Sequence, residues 1–270
     1  MRRAHYLRKA SVSKSTLNTR ERQWACYVKI CKKFRWSPYG CNSSQACKYV
    51  AFLSKAMRYS SVVNYYQTVI FYHNLKGKPV AGWSDPMLAQ TVKGIKNLEQ
   101  IPEDVKDPLK EEHLYKMFQK VNVRKEFDIL VWTVIIFLFR TLLRVGHVVV
   151  SPHTLRRRDV KFFKWGALVT IRSSKTRQKG NPHEIPISRS KNLEVCPVFW
   201  VEKLLKLFPK GESELLFSSK EYSKLSYSTF NRAFKNLISK SKIQGNFSTH
   251  SLRRGGDDSH ESCGGPLVPY

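Results

Sequence analysis

Acid is scarce in this sequence. Its 270 residues hold 20 Asp and Glu against 48 Lys and Arg, a formal charge of +28 at pH 7. A charge of that size draws polyanions to the surface without selectivity. Nucleic acid is the first partner it implies, through phosphate contacts that release counterions; anionic membrane is the other surface of matching charge. Long apolar runs are also missing. The longest, Ile129 to Phe139, is interrupted only by Thr133 and followed by Arg140. It is too short to cross a bilayer and suits a buried helix, so no membrane partner is expected. No apolar stretch follows Met1-Arg2-Arg3, and no secretory leader is expected. The six cysteines (Cys26, Cys31, Cys41, Cys47, Cys196, Cys263) form no CxxC pair and have no neighbouring histidine pattern. That removes the usual zinc spacings, so no metal is expected and the thiols are read as free. No internal repeat is visible.

What is present is enough apolar material for real cores, 41% of residues, and a basic excess in both halves of the chain. Residues 1–100 carry +15 and residues 101–270 carry +13. Two folded domains, each with a basic face, fit this better than a neutral domain with a basic arm. The first reads as all-helical. Asn18 is positioned as a cap with Glu21 three residues on, and Trp24, Tyr27, Val28, Cys31 and Phe34 then recur at helical spacing. Arg20, Lys29, Lys32 and Lys33 fill the other face as candidate DNA contacts. Further helices are expected over Ser44–Met57 and over Ser60–His73, the latter with Val63, Tyr66, Ile70 and Phe71 as its apolar face. Asp85-Pro86 should start another, carrying Leu88, Val92 and Ile95.

Residues 101–109 are proline-rich and acidic and read as a linker. Beyond it, helices are expected over Glu111–Val121, Phe127–Leu143, Pro197–Phe208 and Ser228–Ser239. Strands are expected over Asp159–Phe163, Ala167–Arg172 and His183–Ile187, with a basic turn at Ser173–Pro182 between the last two. The second domain, 110–256, is therefore α+β with a small antiparallel sheet, and 257–270 is a divergent tail. The run Arg156-Arg157-Arg158 suits nuclear import or a face turned to DNA or solvent.

Four residues stand in a meaningful order. Arg144 closes the apolar helix in Thr141-Leu-Leu-Arg-Val-Gly-His147. Lys175 lies in the basic turn in Ser174-Lys-Thr176. His250 and Arg253 form His-x-x-Arg in Thr249-His-Ser-Leu-Arg-Arg-Gly-Gly256. Each alone is a common surface feature. Together they resemble the tyrosine recombinase (phage integrase) family, closest to recombinases of crypton and DIRS-type mobile elements. Trp24-x-x-Tyr27, Ser61-Val-Val-Asn-Tyr65, Arg158-Asp-Val160, Glu184-Ile-Pro186 and Cys196-Pro197 add to the resemblance, which spans Thr19 to Gly256.

The resemblance implies a SAM-like core-binding bundle followed by a catalytic domain of the DNA breaking-rejoining type. It implies double-stranded DNA as partner, assembly of copies on DNA, nuclear location in a eukaryote, and no cofactor. It assigns Arg144 and Arg253 to a phosphate clamp, Lys175 to a general acid, and His250 to proton transfer or phosphate binding. Arginine suits such a clamp because its planar fork matches phosphate oxygens with paired, charge-assisted bonds, and charge stabilisation of this kind is usually the largest catalytic contribution. Arg172, Arg177, Lys179 and Arg254 are further candidate DNA contacts, with Arg172 and Lys179 rivals for the turn cation.

The sequence departs from the family pattern at three places. Leu142 stands where a small residue is usual, two before Arg144. His147 stands where an acid is frequent. The residues after Gly256 lack helical spacing, and Tyr270 follows Arg253 by only 17 residues, too close for the family's nucleophile, while Tyr222 and Tyr227 precede His250. The expectation is a DNA-binding protein of recombinase type that is truncated and catalytically incomplete. The alternatives are an active recombinase using an unrecognised or partner-supplied tyrosine, and an RNA-binding or scaffolding basic protein.

Overall fold

A computed structural model describes residues 2–99, 105–172 and 182–261. The chain divides into two compact units, Met1–Glu103 and Asp104–Tyr270. The first is all-helical: α1 (Arg2–Ala10), α2 (Lys14–Phe34), α3 (Ser43–Ser54), α4 (Tyr59–Lys76) and α5 (Pro86–Leu98). Its helix starts are chemically marked. Asn42 and Gln45 bond reciprocally at the head of α3, with Gln45 N–H donating to Asn42 Oδ1 at 2.9 Å and Asn42 N–H to Gln45 Oε1 at 3.2 Å, which satisfies two otherwise orphan donors. Asp85 caps α5 by accepting from Met87 N–H at 2.7 Å, and its other oxygen accepts the Ser43 hydroxyl at 2.6 Å. One carboxylate thus starts one helix and ties it to another. Gly77 ends α4 at φ +63°, the left-handed turn glycine adopts at least cost.

One expectation for this unit needs correction and a second needs refinement. The long basic helix starts a turn before Asn18, because Ser13 is the residue whose hydroxyl accepts the Thr16 N–H and nothing between them breaks a helix. On α4, Val63, Tyr66 and Ile70 pack against the core as expected but only half-buried, Phe71 is half-buried outside that cluster, and the buried apolar residues are Val62, Val69 and Leu75. The core is unusually aromatic for its size. Tyr27, Tyr49 and Trp83 meet edge to face with centroids 5.0 to 5.8 Å apart, a geometry favoured by ring quadrupoles.

The second unit holds α6 (Glu111–Phe118), α7 (Glu126–Thr141), β1 (Val160–Phe162), β2 (Gly166–Ile171), β3 (His183–Ser188), α8 (Pro197–Leu207), α9 (Tyr227–Lys240) and α10 (Thr249–Glu261). The apolar run forms α7, buried on every side from Ile129 to Phe139. Helices α8, α9 and α10 and strand β3 pack around it, as an all-round hydrophobic helix requires. Two tryptophans close this core from different helices: Trp132 and Trp200 both donate their indole N–H to the Glu194 carbonyl, at 3.0 and 2.9 Å. The sheet is antiparallel in the order β1-β2-β3, with Val160 opposite Val169 and Val169 opposite Ile185. The chain is thus a helical bundle followed by an α+β domain with a small antiparallel sheet.

Candidate phosphate-binding site

Helix α7 stops at Thr141, whose hydroxyl turns back to the Phe137 carbonyl at 2.7 Å. Leu142 then takes φ +53°, a left-handed conformation that costs a branched residue roughly 1 kcal/mol. This is the position where a small residue was anticipated, and the backbone shows why one is favoured there. Arg144, expected at the close of the apolar helix, therefore stands outside it. It lies beyond the left-handed residue, extended at φ −70° and ψ 142°, and leads a single 3-10 turn, Val145–His147.

That turn is bonded on several sides. The Arg144 carbonyl accepts from His147 N–H at 2.9 Å, and the His147 carbonyl accepts from Leu155 N–H at 2.9 Å. The Ser151 hydroxyl donates to the Gly146 carbonyl, and Val150 N–H donates to the Leu225 carbonyl at 3.0 Å. The Arg144 side chain is left exposed above this scaffold. His147 is only 4% exposed, with Nδ1 3.2 Å from the His153 carbonyl oxygen. Burial holds its pKa below the ordinary imidazole value; the bond to the His153 carbonyl opposes this, and the nearby charges of the His153 ring and Arg144 add to it.

His250 and Arg253 lie on α10, three residues apart and so on one face, and both are exposed. The opposite face is locked down. Ser251 and Leu252 are fully buried, Leu109 N–H donates to the Ser251 carbonyl at 3.0 Å, and Gly255 meets the Leu109 backbone so closely that a Cβ there would stand 1.6 Å from its carbonyl oxygen. The start of α10 is fixed by Ser248 N–H donating to Ser251 Oγ at 3.0 Å and His250 N–H to Ser248 Oγ at 3.2 Å. Because α10 packs along α7, the helix bearing His250 and Arg253 and the helix whose end leads to Arg144 are direct neighbours. Two guanidinium groups and an imidazole carried this way suit an oxyanion such as a phosphodiester.

The other candidate residues fare differently. Lys175, Arg177, Lys179 and Tyr270 lie outside the described residues. Arg254 is committed elsewhere, donating to the Lys106 carbonyl at 2.7 Å. Arg172, just past β2, is half-exposed but committed through Nε to the buried Asp159 at 2.6 Å. In the first unit Lys29, Lys32 and Lys33 are exposed on α2. Arg20 lies flat on the Phe71 ring, 4.2 Å from its centroid, and the Lys33 ammonium stands 5.6 Å from the Phe52 centroid. The run Arg156-Arg157-Arg158 is not one basic face. Arg157 is buried and donates to the Phe208 carbonyl at 2.6 Å, while Arg156 and Arg158 are exposed on either side. Among the described residues no histidine, cysteine and carboxylate cluster is placed to hold a metal ion, and no helix is long and apolar enough to cross a membrane.

Comparison with solved structures finds the same fold elsewhere. The integrase of transposon Tn1549, in complex with transposon right-end DNA, is similar with a TM-score of 0.66 and 16% identity, over 94% of this chain and 83% of that one. A lambda integrase dimer bound to a COC' core site is similar with a TM-score of 0.63 and 15% identity, over 93% and 81%. A lambda integrase tetramer bound to a Holliday junction gives 0.59 and 14%, over 93% and 68%. At these identities the likeness establishes the fold. No curated protein matches the chain in sequence. Residues 107–256, more than half of the chain, match the phage integrase family, and the chain belongs to that family.

Proposed function

We propose that the protein binds double-stranded DNA and holds one phosphodiester between Arg144, Arg253 and His250, with Lys175, which follows β2 in the sequence, as a fourth contact. The observation that carries this is the one-sided build of α10. Its inner face is fixed to the Leu109 backbone, and its outer face offers His250 and Arg253 beside the helix that leads to Arg144. A preorganised pair of guanidinium groups grips the non-bridging oxygens of a phosphate and offsets charge as it develops there. The family and the DNA complexes of the similar structures support DNA recombination as the setting. Their dimer and tetramer support assembly of copies on the duplex. The mobile-element resemblance supports a nuclear site of action.

Strand transfer would need a tyrosine oxygen in line with the phosphorus. In the second unit, the Tyr115 hydroxyl donates to Glu111 Oε1 at 3.3 Å, and the Tyr222 ring packs on Phe127 with centroids 4.7 Å apart. Tyr227 opens α9. We therefore assign the described residues to gripping the phosphate and not to attacking it.

The test is a suicide-substrate assay with nicked duplex, read on a denaturing gel beside a salt titration of duplex binding. Salt-sensitive binding that weakens on Arg144→Gln and Arg253→Gln, with no covalent band, is expected. A covalent band would show strand cleavage and overturn the restriction to binding. Preference for RNA or single strands over duplex in competition would overturn the reading altogether.

A further inference from the structure

The described residues of the second unit contain a small basic recess beside the Arg144 turn, of about 110 Å3. His147, His153, Arg156, Arg158, Asp159 and Arg172 are among the residues that line it. It is built, not incidental. Asp159 is 4% exposed and holds two partners at once: its Oδ2 accepts from Arg156 N–H at 2.8 Å, and its Oδ1 accepts from Arg172 Nε at 2.6 Å. That second bond uses one of the five donors of Arg172, fixes the plane of the fork, and leaves the terminal nitrogens for another acceptor. Arg156 is anchored by one nitrogen to the Ser213 carbonyl. The Arg158 guanidinium has no side-chain partner among the described residues. Three arginines thus line one recess with a single carboxylate whose oxygens are already in use, a cationic surplus.

We propose that this recess binds a backbone phosphate of the DNA strand, next to the phosphodiester held at Arg144, with Arg158 as the unengaged contact and Arg172 as the preoriented one. The inference rests on the DNA-binding reading above and extends it to residues outside the four-residue constellation. The placement follows from the chain: the recess begins at His147, three residues after Arg144, and ends at Arg172, three before Lys175. The recess is lined directly by His147 of the turn that Arg144 leads, so a strand held at Arg144 has this recess as its neighbour. Phosphate contacts of this kind set the register of the protein on the duplex and carry no base preference.

The experiment measures duplex affinity of the full chain across about 50 to 200 mM salt for the parent, Arg158→Gln, Arg158→Lys and Arg144→Gln. Losing one phosphate contact should make the slope of log K against log salt shallower by about 0.9. Arg158→Gln is expected to do this on every duplex sequence, leaving a salt-induced affinity loss about threefold smaller over that range, while Arg158→Lys keeps the parental slope. An unchanged slope in Arg158→Gln, with Arg144→Gln still reducing it, would overturn the recess and leave the functional reading standing. No duplex binding by the parent would overturn both. A parallel titration with inorganic phosphate at constant ionic strength separates the ligand sources. Free phosphate bound by the parent and lost in Arg158→Gln, with no change in the DNA slope, would make the recess a small-anion site and refute the DNA contact.

Discussion

Replacing Gly255 by Ala sets two effects of opposite sign against each other. Gly255 sits inside α10, where alanine is intrinsically better by about 1 kcal/mol, so propensity alone predicts a more stable protein. The Cβ would stand 1.6 Å from the Leu109 carbonyl oxygen, 2.5 Å from its carbon and 2.8 Å from its nitrogen. Those are backbone atoms with no rotamer to yield. Ordinary C···O contact is about 3.3 Å or more, so α10 and the Leu109 segment must separate by well over an ångström. That separation breaks the 3.0 Å bond from Leu109 N–H to the Ser251 carbonyl. An interior donor left unpaired costs about 1–3 kcal/mol, and forced overpacking about 1–3 kcal/mol more. The clash therefore wins, by about 1–5 kcal/mol net. The control is Gly94→Ala in α5, where an added Cβ meets nothing within 4 Å and only the propensity gain should appear. Urea unfolding followed by tryptophan fluorescence reads both variants. Gly255→Ala should lose stability and weaken duplex binding through displacement of His250 and Arg253, while Gly94→Ala gains slightly. If Gly255→Ala were as stable as Gly94→Ala, the close contact of α10 with Leu109 would be refuted, and with it the rigid presentation of the candidate site.

Other consequences are open to direct measurement. Burial lowers the pKa of both His147 and His73, so the folded state keeps them neutral where the unfolded chain takes up protons, below about pH 6.5. The unfolded state then binds more protons, and stability should fall with pH from about 6.5 downward; equal stability by urea titration at pH 7.5 and pH 5.5 would contradict their burial as neutral rings. Cys41 is buried with its thiol pushed up to about 11, and the fully buried Cys31 is raised as well. Both should resist thiol-specific labelling at pH 8 until denaturant is added, while the half-buried Cys26 and Cys47 react first, as peptide mass mapping will show. Trp132→Ala, which empties the centre of the second unit, should cost about 3–5 kcal/mol. Trp132→Phe should cost only about 1 kcal/mol, because Trp200 still donates to the Glu194 carbonyl; a loss as large as that of the alanine variant would show that the shared carbonyl matters more than the ring volume.

Much of the architecture could be read from residue patterns because those patterns are local. Asp85-Pro86 marks a helix start by its own chemistry, and Ile129–Phe139 states its burial by composition alone. The order Arg144, Lys175, His250 and Arg253 carried the family resemblance because only order and residue type enter it. What stayed hidden depends on partners far along the chain. Asn18 looks as good a cap as Ser13 until the Thr16 N–H is seen to choose the serine. Arg157 reads as one of three surface cations, yet it is the one drawn inside, by a carbonyl 51 residues away at Phe208. Arg172 and Arg254 resemble free cations in the sequence, and each is partly committed, to Asp159 and to the Lys106 carbonyl. The same long-range commitments define the recess. Asp159 fixes Arg172, Ser213 fixes Arg156, and no such anchor reaches Arg158. Counting cations along the chain therefore overstates the number able to meet DNA. Of the residues argued to meet phosphate, Arg144, Arg158, His250 and Arg253 are exposed without a side-chain partner among the described residues, and Arg172 keeps its terminal nitrogens while Nε holds Asp159.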